Sequence, residues 1–253
     1  MSRSARLVLF APAIALAGAL MVWGLVGLPD FGHYTGLYGK LLANLAVPRR
    51  GATSVVATTT FDFRAFDTLG EEFILFAAAI GVAALLRASR EEHDVEGRIR
   101  HEQERLSAAS ESTRLLVAAL VGPTLLFGIY IVTHGHLTPG GGFQGGVILA
   151  TAAILFYLAG RHVASGRVPV IDWLERDEGF GAIGFALLGV GGLIFAGTFF
   201  ENFLPAGNPG SLLSGGIVPL SNVSVGIEVM GALLVILSEL LEQQFLTRGS
   251  RRR

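Results

Sequence analysis

Cysteine is absent from the 253 residues. That absence excludes disulfides, thiolate-held iron–sulfur clusters, Cys-bound zinc and a Cys nucleophile. Charge is scarce too. Asp, Glu, Lys and Arg make up 15% of the chain, where a soluble domain carries about a quarter. A chain so poor in charge lacks the surface of a soluble globular protein and the composition of a disordered one. Its net charge of -1 points to no nucleic-acid partner. What is present is apolar: 51% hydrophobic residues, 34 glycines and a mean hydropathy of +0.58. Abundant glycine suits helices that pack closely in lipid.

A spanning helix needs about 20 mostly apolar residues. Six stretches answer to this: Leu7 to Leu28, Leu69 to Leu86, Leu115 to Thr133, Phe143 to Gly160, Phe180 to Phe200, and Val223 to about Leu241. The sequence therefore predicts an all-α polytopic membrane protein of about six transmembrane helices, a two-helix module followed by a four-helix module. The third and fourth stretches nearly abut and read as a helical hairpin. Ala52 to Phe61 is apolar but too short to span; it either lies in the interface or extends the second helix. Arg3 and Arg6 before an apolar run resemble a signal peptide. The run is long for a signal core, and no small-x-small site precedes Gly32, so a retained helix is expected.

Basic residues set the orientation. With six spans both termini share one side. That side carries Arg3 and Arg6, the run from Arg87 to Arg114, then Arg161, Arg167 and Arg176, and the tail Arg248, Arg251, Arg252 and Arg253. All but four of the Lys and Arg residues fall there; Lys40, Arg49, Arg50 and Arg64 lie in the first loop. Cytoplasmic termini in the cell (inner) membrane are expected. Arg90 to Glu111 mixes both signs with no recurrent apolar face, and reads as a solvated linker. The expected parts are thus a membrane module at 1–89, a charged linker at 90–112, a four-helix module at 113–247 and a basic tail at 248–253.

Three constellations could carry chemistry. Asp62, Arg64, Asp67, Glu71 and Glu72 stand among aromatics at the mouth of the second span. Thr68 and Glu71 have capping-box spacing, and Arg64 could neutralise Asp62 or Asp67, which is a purely structural reading. Yet a cap needs fewer ionisable groups, and carboxylates at membrane depth often face water-filled paths or partner chains. The second constellation runs His134-Gly-His136-Leu-Thr138-Pro139-Gly140-Gly141-Gly142-Phe-Gln144-Gly-Gly146. Pro139 and the glycines break helix. An extended turn would put both histidines on one side; two alone make a poor zinc site, so no metal is expected. Proton exchange by histidine and a tight hairpin whose His and Gln satisfy backbone carbonyls both remain open. The third is Glu228 and Glu239 on one face of the last helix, with Ser224 one turn before Glu228. Glu239 reads as a helix exit. Glu228 sits among apolar residues, where a carboxylate is retained for a proton or cation. Gly181, Gly184, Gly189, Gly191, Gly192 and Gly197 suggest close helix packing.

Catalytic and cofactor motifs are missing. There is no Gly-x-Ser-x-Gly, no His-Glu-x-x-His and no phosphate-binding Gly-x-x-x-x-Gly-Lys-Ser/Thr. Outside the loop pair, His162 is the one histidine near a predicted helix that haem ligation would call on, and it lies at an exit. No cofactor and no catalytic site are expected.

The run from His134 to Gly146 resembles the signature of the MnhB (MrpB) component of the multisubunit Mrp sodium/proton antiporters, a domain that also occurs in membrane-bound hydrogenase complexes. That likeness covers about Thr113 to Leu246. Asp62-Phe-Arg64-Ala-Phe-Asp67-Thr-Leu-Gly-Glu71 is similar to the C-terminal membrane segment of the large A-type antiporter component, which in the hydrogenases is a separate small chain, MbhE. It covers roughly Leu7 to Arg87. Family members usually have Gly at Ala65 and Asn near Thr53; neither difference removes an ionisable group. The resemblance implies an MbhE-like segment fused to an MnhB-like one, in a hetero-oligomer related to respiratory complex I. Other antiporter subunits, membrane lipid, Na+ and H+ would be its partners. Asp62, Arg64, Asp67 and Glu71 would then line or gate an ion path, with Arg64 as counter-charge, and Glu228 would join it; His134, His136, Pro139 and Gln144 carry over from the hairpin. The alternatives are a component of a redox-driven, hydrogenase-type pump with the same residues, and a purely structural linker.

Overall fold

A computed structural model of the chain describes residues 3–28, 36–86, 110–158 and 169–250. Most of the predicted charged linker, His162 and Arg251 to Arg253 lie outside them. The chain forms two compact units, Met1–Leu41 and Leu42–Arg253. The first contains α1 (Arg3–Val26), which exposes Leu20, Met21 and Trp23. A helix that hydropathy does not announce, α2 (Leu37–Arg50), crosses the boundary between the units.

The second unit opens with α3 (Val55–Thr58), whose N-cap Ser54 accepts from the Ala57 amide. A π-helical turn at Thr59–Phe63 follows, then α4 (Ala65–Leu86). The stretch from Ala52 to Phe61 thus leads into the second span through a short helix and the π turn, with a break at Arg64 before α4. Next come α5 (Glu111–Thr133), α6 (Gly142–Leu158), α7 (Pro169–Ala196) and α8 (Val218–Ser250). Among the described residues four helices are long and apolar enough to cross a membrane, accompanied by the shorter apolar helices Phe10–Val26 and Gly142–Phe156. Together they fall on the six predicted stretches: the chain is an all-α, multi-pass membrane protein.

α8 is the hub. It packs against α4, α5, α6 and α7, and 56% of its spanning stretch is buried against 11% of α4's. Small residues permit this closeness. A side chain at Gly146 would run into the Gly226 carbonyl and Val229, and one at Gly181 into the backbone of Glu228. Large apolar side chains point the other way: Phe66, Phe73 and Ile74 of α4 and Ile183, Leu187 and Ile194 of α7 are exposed. This is the reverse of a soluble protein, because a bilayer is as apolar as leucine and gives no drive to bury it. The core that remains joins α3, the π turn and α4 to α7 and α8. Phe185 lies at its centre, edge-on to Phe61 with ring centroids 6.0 Å apart and 4.9 Å from Phe200.

Candidate ion-path site

The start of α4, the α5–α6 hairpin, the end of α7 and the start of α8 meet at one end of the second unit, here the loop end. The Ser54 amide donates to the His136 carbonyl at 3.0 Å, and the Thr53 hydroxyl to the Leu137 carbonyl at 2.6 Å. The segment between α7 and α8 folds over them.

Asp62 sits inside the π turn, and its side chain is 2% exposed. A carboxylate so buried needs a partner. Its partner is Arg50, whose Nε lies 3.0 Å from Asp62 Oδ2. The Arg50 guanidinium also reaches Glu201 at 3.8 Å and lies 5.7 Å from the Phe63 ring centroid. Asn202 completes the node. Its Nδ2 donates to Asp62 Oδ2 (3.0 Å) and the Gly215 carbonyl (3.2 Å), and its Oδ1 accepts from the Ile217 amide (3.1 Å). Burial raises the Asp62 carboxyl above its ordinary 3.8; the Asn202 bond and Arg50 oppose this, and Glu201 adds to it.

Arg64 is not the counter-charge of this group as a whole. It pairs with Asp67 alone, and both side chains are about half exposed. Nor do Thr68 and Glu71 form a capping box. α4 already starts at Ala65, and the Thr68 hydroxyl donates to the Thr60 carbonyl at 2.8 Å, tying the π turn to the helix. Glu71 is exposed. The buried carboxyl is its neighbour Glu72, 4% exposed, and its hydrogen-bonding partner is Glu228 on α8. Glu228 is fully buried, against the α7 backbone where Gly181 leaves it room. Ser224 faces Gly184 one turn nearer the loop end. Glu239 is half-buried towards the other end.

In the hairpin the two histidines part rather than share a side, because residues 134–137 form a tight turn. His134 stacks on Tyr130 with centroids 4.2 Å apart and bonds the Tyr130 carbonyl through Nδ1. His136 is fully buried. Its Nε2 lies 3.4 Å from the Ser211 carbonyl, while its Nδ1 is buried with no partner among the described residues. Burial pushes this imidazole below its usual 6.5, His134 adds to the lowering, and the Ser211 carbonyl opposes it. The Thr138 hydroxyl closes the turn on the His134 carbonyl. Pro139 and Gln144 are exposed. Gly140 adopts φ +133°, open to glycine at little cost. Gly141 and Gly142 receive Asn222 of α8, whose Oδ1 accepts from the Gly142 amide at 2.7 Å. The glycine run is thus a seat for the start of α8.

Residues 112–235 match the family described as "Domain related to MnhB subunit of Na+/H+ antiporter", and residues 7–103 match the MbhE family, the E component of MBH. The uncharacterized protein MJ1307 of Methanocaldococcus jannaschii is 31% identical, over 87% of this chain and 88% of its own length. The chain belongs to the MnhB-related membrane proteins, with an MbhE segment fused ahead of the MnhB domain. A chain of the archaeal membrane-bound sulfane sulfur reductase is 32% identical with a TM-score of 0.71, covering 93% of this chain and 98% of that one. A chain of the Mrp complex from Dietzia sp. DQ12-45-1b is 25% identical with a TM-score of 0.65; 95% of this chain is covered, but only 26% of that longer chain. Both neighbours are parts of larger membrane complexes. The Glu72–Glu228 and Asp62–Asn202 contacts each join the MbhE segment to the MnhB domain.

Sequence reasoning names Glu72 at the mouth of the second span without assigning it to the path, and does not single out Arg50, Asn202 or Asn222. Glu72 had a signal. Ala65, Thr68, Glu72 and Ala79 recur at helical spacing between large apolar residues, and all four are buried. In a membrane helix the small and polar stripe marks the inner face. Arg50 and Asn202 lie in loop-like sequence, where no periodicity pairs them with Asp62.

Proposed function

We propose that this chain is a non-catalytic subunit of a multisubunit monovalent cation/proton antiporter complex in the cell (inner) membrane, and that Glu72 and Glu228 form its ion-handling pair. The observation that carries this is the pair itself: two buried carboxyls at spanning depth, on helices from the two family segments. Carboxyls are retained at such depth where a proton or small cation compensates them. Glu72 lies about 10 Å into α4 and Glu228 about 15 Å into α8, at 1.5 Å per residue, so neither is a terminal cap. Asp62, held by Arg50 and Asn202, stands at the loop end of the same helix system. Arg64, Asp67 and Glu71 form an exposed surface facing partner chains. His134, His136 and the glycines set the hairpin that seats α8. The MbhE-like part at 1–89, the charged linker at 90–112, the MnhB-like part at 113–247 and the basic tail at 248–253 act as one subunit with cytoplasmic termini, and Na+ and H+ are the exchanged ions.

The test is purification of the native complex in mild detergent, identification of its chains by mass spectrometry, and cation-driven proton exchange in vesicles. Large antiporter-like chains and exchange that fails on Glu228→Gln are expected. Normal exchange by an assembled complex carrying both Glu72→Gln and Glu228→Gln would overturn the assignment of the pair. A second reading is favoured by one observation: this chain covers nearly the whole of its sulfane sulfur reductase counterpart but about a quarter of the Mrp chain. In that reading the same membrane chemistry is driven by electron transfer in a partner, and co-purifying redox proteins would decide for it.

A further inference from the structure

Buried polar groups in the second unit are distributed unevenly about the Glu72–Glu228 pair. Towards the loop end they form two lines. One runs along α3 and α4 through Thr58, Asp62 and Thr68 to Glu72. The other runs along α8 through the buried Ser221 and half-buried Ser224 to Glu228. On α8 these three positions lie within about 60° of one another at 100° per residue. Beyond the pair, towards the other end, the buried residues of the same helices are Ala79, Ala232, Leu234 and Val235. Among the described residues the fully buried polar lines therefore stop at the carboxyls, and an apolar stretch follows as far as the half-buried Ser238 and Glu239.

A second observation concerns the pair. Glu72 hydrogen-bonds to Glu228, and its Oε2 is buried with no further hydrogen-bond partner among the described residues, though buried polar atoms are nearly always satisfied. The pair lies in the seam where α4 and α8 meet beside α7, with Glu228 against Gly181 and Ser224 against Gly184. At the loop end, exposure falls from Glu201 (43%) through Arg50 (23%) to Asp62 (2%), so a charged chain of contacts leads from the surface to the head of the polar line. We infer that this seam is a half-channel that admits a proton or small monovalent cation to Glu72 and Glu228 from the loop end only, with the Arg50–Asp62–Asn202 node as its gate. This rests on the proposed ion-handling role of the pair and adds its route, its side and its gate. By the distribution of Lys and Arg the loop end is the outer one.

The chain's freedom from cysteine makes the route testable in the intact complex. Single variants Ser224→Cys, Ala232→Cys and Leu220→Cys, the last on an exposed position of α8, are reconstituted in oriented vesicles. They are exposed to silver ion in chloride-free buffer from one side, then denatured and alkylated. Mass spectrometry of this chain reads which thiol was blocked. The expected result is loss of alkylation at Ser224→Cys when silver is added at the loop end, little loss at Ala232→Cys, and faster loss at Ser224→Cys when Arg50→Ala is added. Equal reaction at 224 and 232, reaction at 224 only from the opposite side, or no reaction at 224 in an assembled complex would each overturn the route. The last outcome, combined with loss of exchange in Glu228→Gln, would remove the half-channel and leave the ion-handling pair standing. Retained exchange in the Gln variants would remove the pair itself.

Discussion

Asp67 and Glu71 stand on one side of α4, Glu72 on the other, and Asp62 in the turn before it. Asp67 and Glu71 are exposed among Phe66, Phe73 and Ile74, with Arg64 screening Asp67. Asp62 and Glu72 are buried among small residues, against Arg50 and Asn202 in one case and Glu228 in the other. The residue types are the same and the physics is opposite. Exposed ion pairs contribute about 0–1 kcal/mol and are readily replaced. A buried carboxyl is costly, and persists only with partners that specify it or a function that uses it. In a membrane helix, the side of the small residues tells more than the presence of a charge.

Glu228→Gln should have the largest effect, cutting exchange by about tenfold or more while the complex assembles, as intramembrane ionisable groups are functional by default; vesicle transport with parallel size-exclusion checks this. Arg50→Met should come next. It leaves Asp62 buried and unpaired, at a cost of about 3 kcal/mol, the low end for breaking a buried pair because Arg50 is partly exposed. Adding Asp62→Asn should recover much of that stability in thermal unfolding of the purified complex, which Arg64→Met with Asp67→Asn would not mimic. Gly181→Leu should cost about 1–3 kcal/mol by overpacking α7 against α8, seen as lowered thermal stability or poor assembly. The smallest effect is His136→Gln. The His136 imidazole is held below 6.5 in the folded chain, so an unfolded chain takes up its proton first. Its contribution is complete above 6.5 and is lost as pH falls through 6.5 towards the folded value. The variant should show a shallower fall in melting temperature between about pH 7.5 and 5.5; an unchanged slope would mean the buried Nδ1 is not the cause.

The six apolar stretches were legible because the bilayer imposes length and composition on them. Their ends were less so. α4 starts at Ala65 rather than Leu69, and α8 at Val218 rather than Val223, because the extra turns include Asp67, Thr68, Ser221 and Asn222, which hydropathy reads as loop. Glu228 was legible as a charge in an apolar run. Asp62 was visible, but its partner was assigned to the nearby Arg64. The actual partner, Arg50, comes from a helix whose charged end gave no spanning signal. Asn202 lies far along the chain from Asp62, a pairing no local pattern encodes. The break at Pro139 and the glycines is legible in the hairpin, but the parting of its two histidines is not; the seating of Asn222 depends on α8, and only the fold brings the two together.

The most direct test sets adjacent residues against each other: Glu71→Gln and Glu72→Gln, each in the native complex, with assembly verified and exchange measured in vesicles. Loss of exchange with Glu72→Gln and near-normal exchange with Glu71→Gln is the result expected from a buried pair with Glu228. The reverse, with Glu71 essential and Glu72 replaceable, would place the path on the exposed side of α4 and contradict the buried pair.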